Sequence, residues 1–158
     1  MRAVATLALI TLAGPALAHD PMMWNGSEIH VILESEATGG EMGMFTTRFS
    51  EPGGPPRHVH SDAAEGFVVL EGRAQVLSGT ETMILEEGEA AFVPAGAEHT
   101  FRVLGDDGGQ LLVVVTPGGF EGFFEATLGV ELPGEMERFN EISESFGQSF
   151  TGPPLAAE

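Results

Sequence analysis

The sequence predicts an all-β domain, folded as an antiparallel sandwich or barrel. Two observations carry this expectation. Between Glu28 and Thr116 the apolar-rich runs are four to eight residues long, strand length and too short for a buried helix. Turn-forming residues separate them at short, regular intervals, with no helical period in between. A chain of 158 residues suffices for one domain with a real core and is too short for two.

The first strand is expected over Glu28–Glu34, where Ile29, Val31 and Leu33 alternate with polar neighbours. Met42–Phe49 follows the Gly39-Gly40 turn. Gly66–Leu70, Ala74–Leu77, Thr82–Leu85, Ala90–Val93, His99–Leu104 and Gln110–Val115 complete the series, punctuated at Glu71-Gly72, Ser78-Gly79, Glu87-Gly88 and Asp106–Gly109. After Thr116 the period changes. Phe120–Leu128 reads as a short helix. Gly134–Phe146 reads as an amphipathic one, with Met136, Phe139, Ile142 and Phe146 at three- and four-residue steps. It starts near Pro133 and stops at Gly147. Its apolar stripe is expected on the outside of the barrel or on a second subunit, and Phe120, Phe123 and Phe124 against a sheet rather than facing a ligand. The resulting division is a barrel over residues 24–118, a helical extension over 119–147 and a loose tail over 148–158.

Residues 1–18 read as an export signal: Met1-Arg2, an apolar run from Ala3 to Ala13, a Gly14-Pro15 break and a small-x-small site, Ala16-Leu17-Ala18. The apolar run is short of the ~20 residues that span a bilayer. The chain is therefore expected to be periplasmic or secreted, cleaved after Ala18, with no membrane insertion afterwards. His19 would then be the first residue, and is expected to be disordered rather than a copper-binding terminus.

Composition removes whole classes of function. Six basic residues, all Arg, face 24 acidic ones, for a net charge of −18. Such a surface repels phosphate backbones and anionic lipid, so no nucleic acid is expected as a partner. There is no Cys, hence no disulfide, thiolate nucleophile or Cys-based metal site. Without Lys or Tyr there is no Schiff base and no tyrosyl base. Ser and Thr lack a nucleophile-elbow context. His, carboxylate and metal chemistry remain.

The histidines are patterned. In His58-Val59-His60 the two imidazoles lie two apart and share one face of a strand. Glu65 follows after Ser61–Ala64, a stretch able to turn or bulge. Further on, a strand ending at Pro94 turns at Gly96, and His99 begins the next. If the sheet curls, His99 can meet the pair. Three imidazoles and a carboxylate suit a divalent transition metal (Cu, Zn, Mn, Fe or Ni) and leave coordination positions open for a ligand. His30 is expected to be exposed or at an interface, and Arg57 and Arg102 to point outward.

Both blocks resemble the paired signatures of the cupin superfamily. In the first, His58, His60, Glu65 and Gly72 fall at the family spacing, although the preceding Gly lies closer to His58 than usual. In the second, Gly88, Pro94, Gly96 and His99 match without a gap; the polar residue often found beyond is Val103 here. The flanks, Gly-Pro-Pro-Arg-His-Val-His at 54–60 and Pro-Gly-Gly-Phe-Glu-Gly-Phe-Phe at 117–124, look like those of small cupins related to quercetin 2,3-dioxygenase. The resemblance implies a double-stranded β-helix, or jelly-roll barrel, to which the change of period after Thr116 adds short C-terminal helices. It also implies one divalent transition metal per chain, held by His58, His60, Glu65 and His99, with Glu65 as catalytic proton acceptor.

The function expected from this is an exported, quercetinase-like dioxygenase acting on a small phenolic or enolic molecule. A non-enzymatic metal-dependent ligand-binding cupin and a metal-dependent lyase or isomerase are the alternatives. The pocket is expected to be apolar, with Phe67, Val69, Phe101 and Val103 on the inner face. Open sheet edges and the C-terminal helix lead to the expectation of a homodimer.

Overall fold

The computed structural model describes residues 20–156; the stretch 1–18 expected to be an export signal and His19 lie outside the described residues. Two antiparallel sheets face each other, as an all-β reading requires. The first holds, in spatial order, β1 (Met22–Trp24), β2 (Ser27–Leu33), β3 (Gly43–Phe49), β10 (Gly109–Thr116), β5 (Ala64–Glu71) and β8 (Ala90–Val93). The second holds β11 (Gln148–Gly152), β4 (Arg57–His60), β9 (His99–Leu104), β6 (Arg73–Ser78) and β7 (Glu81–Glu86). From β4 to β10 the chain passes repeatedly between the sheets, the winding of a jelly roll.

Alternation fixes what faces inward. On β5, Glu65, Phe67 and Val69 are buried; on β9, His99, Phe101 and Val103; on β10, Leu111, Val113 and Val115. Glu65 and His99 at one end of β5 and β9, with Val69 and Val103 at the other, give the interior a polar end and an apolar floor. Edge strands keep apolar residues outside: Phe92 on β8 is 65% exposed and Ile84 on β7 is 48% exposed. Among the described residues no helix is long and apolar enough to cross a membrane.

Two strands depart from the sequence reading. β1 precedes the expected start of the barrel and folds onto β2 through Asn25-Gly26, both at positive φ (45° and 83°). That dipeptide is the usual chemistry of a tight hairpin turn, so the signal was present. β11 occupies the first residues of what reads as a loose tail. It pairs with β4, placing Phe150 opposite His58. Its Gln-Ser-Phe-Thr-Gly sequence carries little apolar pattern, and the open edge of β4 is what makes it a strand.

The extension begins with a single 3-10 turn at Phe120–Gly122, then α1 (Phe123–Ala126) and α2 (Met136–Ser145). The stripe on α2 neither covers the outside of the barrel nor waits for a second subunit. Phe139 stacks on Phe150 at 5.5 Å and meets Phe123 edge-on at 5.8 Å, within its own chain. Met136, at the first turn, is exposed instead.

Glu121 ties the extension down. It is buried, and its Oε1 accepts the Ser35 N–H at 2.7 Å while Oε2 accepts the Gly119 N–H at 2.8 Å. Glu121→Ala orphans both amides, so a loss of about 2–4 kcal/mol is expected in urea denaturation. A change below about 0.5 kcal/mol would show the tie to be dispensable.

Candidate metal centre

The site grows out of strand pairing. His58 and His60 project from β4 to the same inner face. On the neighbouring strand, His99 is the direct ladder partner of His58, and their rings stand 4.4 Å apart. Glu65 comes from the opposite sheet. The chain bends at Ser61-Asp62 and re-enters as β5, returning the carboxylate toward the histidines it has just left. The Pro94-Ala95-Gly96 turn has the matching role: it carries the chain from β8 in one sheet to β9 in the other. Gly96 takes φ 78° there, and its N–H donates to the His60 carbonyl at 2.8 Å.

All four side chains are buried, and their ligand atoms lie within 4.8 Å of one another. Glu65 Oε2 is 2.8 Å from His99 Nε2, and Oε1 is 3.7 Å from His60 Nε2. Two backbone carbonyls orient the rings. His58 Nδ1–H donates to Pro56 O at 2.7 Å, and His99 Nδ1–H donates to Ala97 O at 2.9 Å. Since a carbonyl can only accept, the bond at His58 fixes the tautomer that leaves Nε2 free, whereas His99, whose Nε2–H also donates to the Glu65 carboxylate, frees Nε2 for an ion only by losing that proton.

Burial dominates the electrostatics. It pushes His58 down to about 4, with the nearby His99 adding to the effect, so this ring is neutral at neutral pH. Burial also lowers His60, despite the attraction of Glu65. For His99 burial is again the largest influence and acts downward, but the hydrogen bond with Glu65, its negative charge and the Ala97 carbonyl together outweigh it and the ring is raised. Burial would raise Glu65; the His99 hydrogen bond and the surrounding imidazoles overcome this and hold the carboxyl below the usual range.

The donor set fits a metal ion. Ligands bound at about 2.0–2.2 Å from one ion stand roughly 3–4.2 Å apart, close to the size of this cluster. His60 supplies the sharper observation: both its ring nitrogens are buried without a hydrogen-bond partner. Each such group costs about 1–3 kcal/mol when unpaired, and coordination of one nitrogen removes part of that cost.

Behind the cluster lies a cavity of about 60 Å³, reached by His58 and Glu65 and walled by aromatic rings. Phe67 and Phe101 line it, as their strand parity suggests, while Val69 and Val103 pack deeper in the core. Phe120, Phe123 and Phe124 do more than pack against a sheet. They line the cavity as well, and Phe120 meets the His60 ring edge-to-face, with ring centroids 4.2 Å apart. Sequence alone missed this because the rings belong to the extension, whose position over the mouth has no local signature. Arg57 is half-buried rather than outward, its Nε enclosed without a partner, and Arg102 donates to the Leu155 carbonyl at 3.2 Å. His30 is half-buried on β2, away from the cluster, opposite Thr46.

Residues 47–115, which contain all four clustered side chains, match the Cupin_2 family, described as a cupin domain. The barrel has the cupin fold. Solved structures share it. KdgF from Halomonas superposes with a TM-score of 0.57 at 18% identity, over 64% of this chain and 88% of its own. An RmlC-like cupin from Shewanella frigidimarina gives 0.54 at 19% identity, over 63% and 84%. Among curated proteins, quercetin 2,3-dioxygenase of Bacillus subtilis (strain 168) is 40% identical over 48 residues, 30% of this chain but 14% of that enzyme. Polyketide synthase CurC of Streptomyces cyaneus is 25% identical over 99 residues, 62% of this chain and 64% of its own. The matched stretch therefore spans less than two thirds of either curated relative.

Proposed function

We propose that this cupin is an exported oxygenase of the quercetinase type, acting on a compact phenolic or enolic substrate. It would hold one divalent transition metal per chain through His58, His60, Glu65 and His99. The observation that carries the reading is the convergence of four buried donors at one end of an aromatic cavity. A substrate oxygen directed at the cluster keeps its apolar body among phenyl rings. The partial likeness to a protein named quercetin 2,3-dioxygenase favours oxygenation over simple ligand binding or isomerisation.

A bound metal supplies Lewis acidity and open coordination positions. The chain's residues do the rest. His58, with its Nδ1–H committed to Pro56, presents a neutral nitrogen. Glu65, ionised and steered by His99, is placed to accept a hydroxyl proton from the substrate. The phenyl walls exclude water from an electron-rich substrate. At about 60 Å³ the cavity is far below the roughly 300–1,000 Å³ of pockets that take drug-sized ligands, which favours one-ring or open-chain substrates over a three-ring flavonol.

The test is oxygen uptake by iron- and copper-loaded protein given acetylacetone, catechol or a flavonol. Consumption with the compact substrates is expected. Glu65→Gln should lower kcat at least about 100-fold while the three histidines retain some metal. No uptake in any loaded form would reject the oxygenase reading, and turnover without oxygen would favour a lyase or isomerase.

A further inference from the structure

The C-terminal strand brings a second polar group to the metal end of the cavity. Gln148 opens β11 directly opposite His60 on β4, and Phe150 lies opposite His58. Facing residues of an antiparallel pair project to the same side of the sheet. Gln148 and Phe150 thus share the inner face with two of the clustered histidines, and both line the cavity. Gln148 is 4% exposed, and its Oε1 is buried with no hydrogen-bond partner.

Two other polar side chains of the cavity are already engaged. Trp24 Nε1 donates to Thr127 Oγ1 at 2.8 Å, and Ser27 Oγ donates to the Trp24 carbonyl at 2.9 Å. An unpaired amide oxygen in an aromatic wall is costly, and an apolar side chain of similar size would avoid that cost. Among the described lining residues there is no Arg or Lys to meet a second anionic group. A neutral hydroxyl is the group a lone amide oxygen can satisfy.

We propose that Gln148 is a specificity-determining residue of this cavity. Its side-chain amide accepts a hydrogen bond from a hydroxyl of a neutral, ring-bodied ligand whose other oxygen sits at the His58–His60–Glu65–His99 cluster. The assignment rests on the ligand cavity of the proposed function but not on oxygen chemistry.

Trp24, the one tryptophan of the sequence, lines the same cavity, so its fluorescence reports occupancy without turnover. Full-length wild type and Gln148→Met, each zinc-loaded, are titrated with phenol, catechol, resorcinol and hydroquinone. At least one diphenol should bind wild type about tenfold more tightly than phenol. Gln148→Met should erase that margin while leaving phenol binding within about twofold. Without ligand the same variant should melt at a higher temperature than wild type, because the orphaned oxygen is gone. A residue needed only for packing would not combine those two results. Gln148→Leu repeats the test with a second apolar shape.

Absence of a diphenol preference in wild type, its survival in both variants, a lowered melting temperature in both, or no response of Trp24 to any probe would each overturn the assignment. Oxygen uptake on iron- and copper-loaded samples separates the two readings. Loss of the preference without oxygen consumption keeps Gln148 and removes the oxygenase; oxygen consumption with the preference intact in the variants does the reverse.

Discussion

His99→Ala is expected to abolish metal retention and to destabilise the metal-free protein. The imidazole has two roles in the cluster: it offers a donor nitrogen, and it hydrogen-bonds the Glu65 carboxylate at 2.8 Å. Its removal leaves that carboxylate buried without its closest partner, and burial then drives the carboxyl upward toward protonation. One donor is deleted and a second is weakened by the same substitution. Metal affinity should fall at least about 100-fold, since even loss of an orienting partner costs 10- to 100-fold. Breaking a buried pair by deleting one member costs about 3–5 kcal/mol, which denaturant unfolding of the metal-free variant should show. Elemental analysis after equilibrium dialysis reads the affinity, and one ion per chain retained by the variant would contradict the assignment of His99.

Phe123→Ala is expected to give the largest loss of stability for a change outside the cluster, about 3–5 kcal/mol. The ring is almost wholly buried and sits at the centre of the aromatic assembly. Phe120 stacks on it at 5.2 Å, Trp24 meets it edge-on at 5.5 Å, and Phe139 does so at 5.8 Å. Truncation opens a void and loosens the lid over the cavity, including the Phe120 ring against His60. The four candidate ligands all sit on strands, so metal affinity should change less than about tenfold. Urea denaturation with metal stoichiometry on the same variant checks both halves. A loss below about 1 kcal/mol would mean that the extension unfolds independently of the barrel.

How much of this was legible in the sequence depended on whether the signal was local. Strands β8 and β9 begin and end where the residue pattern places them, because alternation and flanking turns lie within a few positions of one another. The cluster was legible for a similar reason: each half of it is written within a short block, around His58 and before His99. β1 could have been read from Asn25-Gly26. β11 could not, since a polar five-residue stretch becomes a strand only where a partner edge awaits it. The same non-local cause hid Gln148, whose relevance comes entirely from lying opposite His60. Met136 shows the reverse error: three- and four-residue spacing marked it as part of the stripe, yet at the start of α2 its side chain is exposed.

The pairing of β11 with β4 sets an order of events for a nascent chain. The strand bearing His58 and His60 gains its outer neighbour only when residues 148–152 exist. The cavity beside the histidines is consequently among the last parts to be assembled, through contacts far apart along the polypeptide, which are slow to form. An ion captured early would meet bare imidazoles in water, whereas one arriving late meets a finished, dry enclosure. For an ion taken up at this cluster, the moment of loading, as much as the donor atoms, would then govern which element is held.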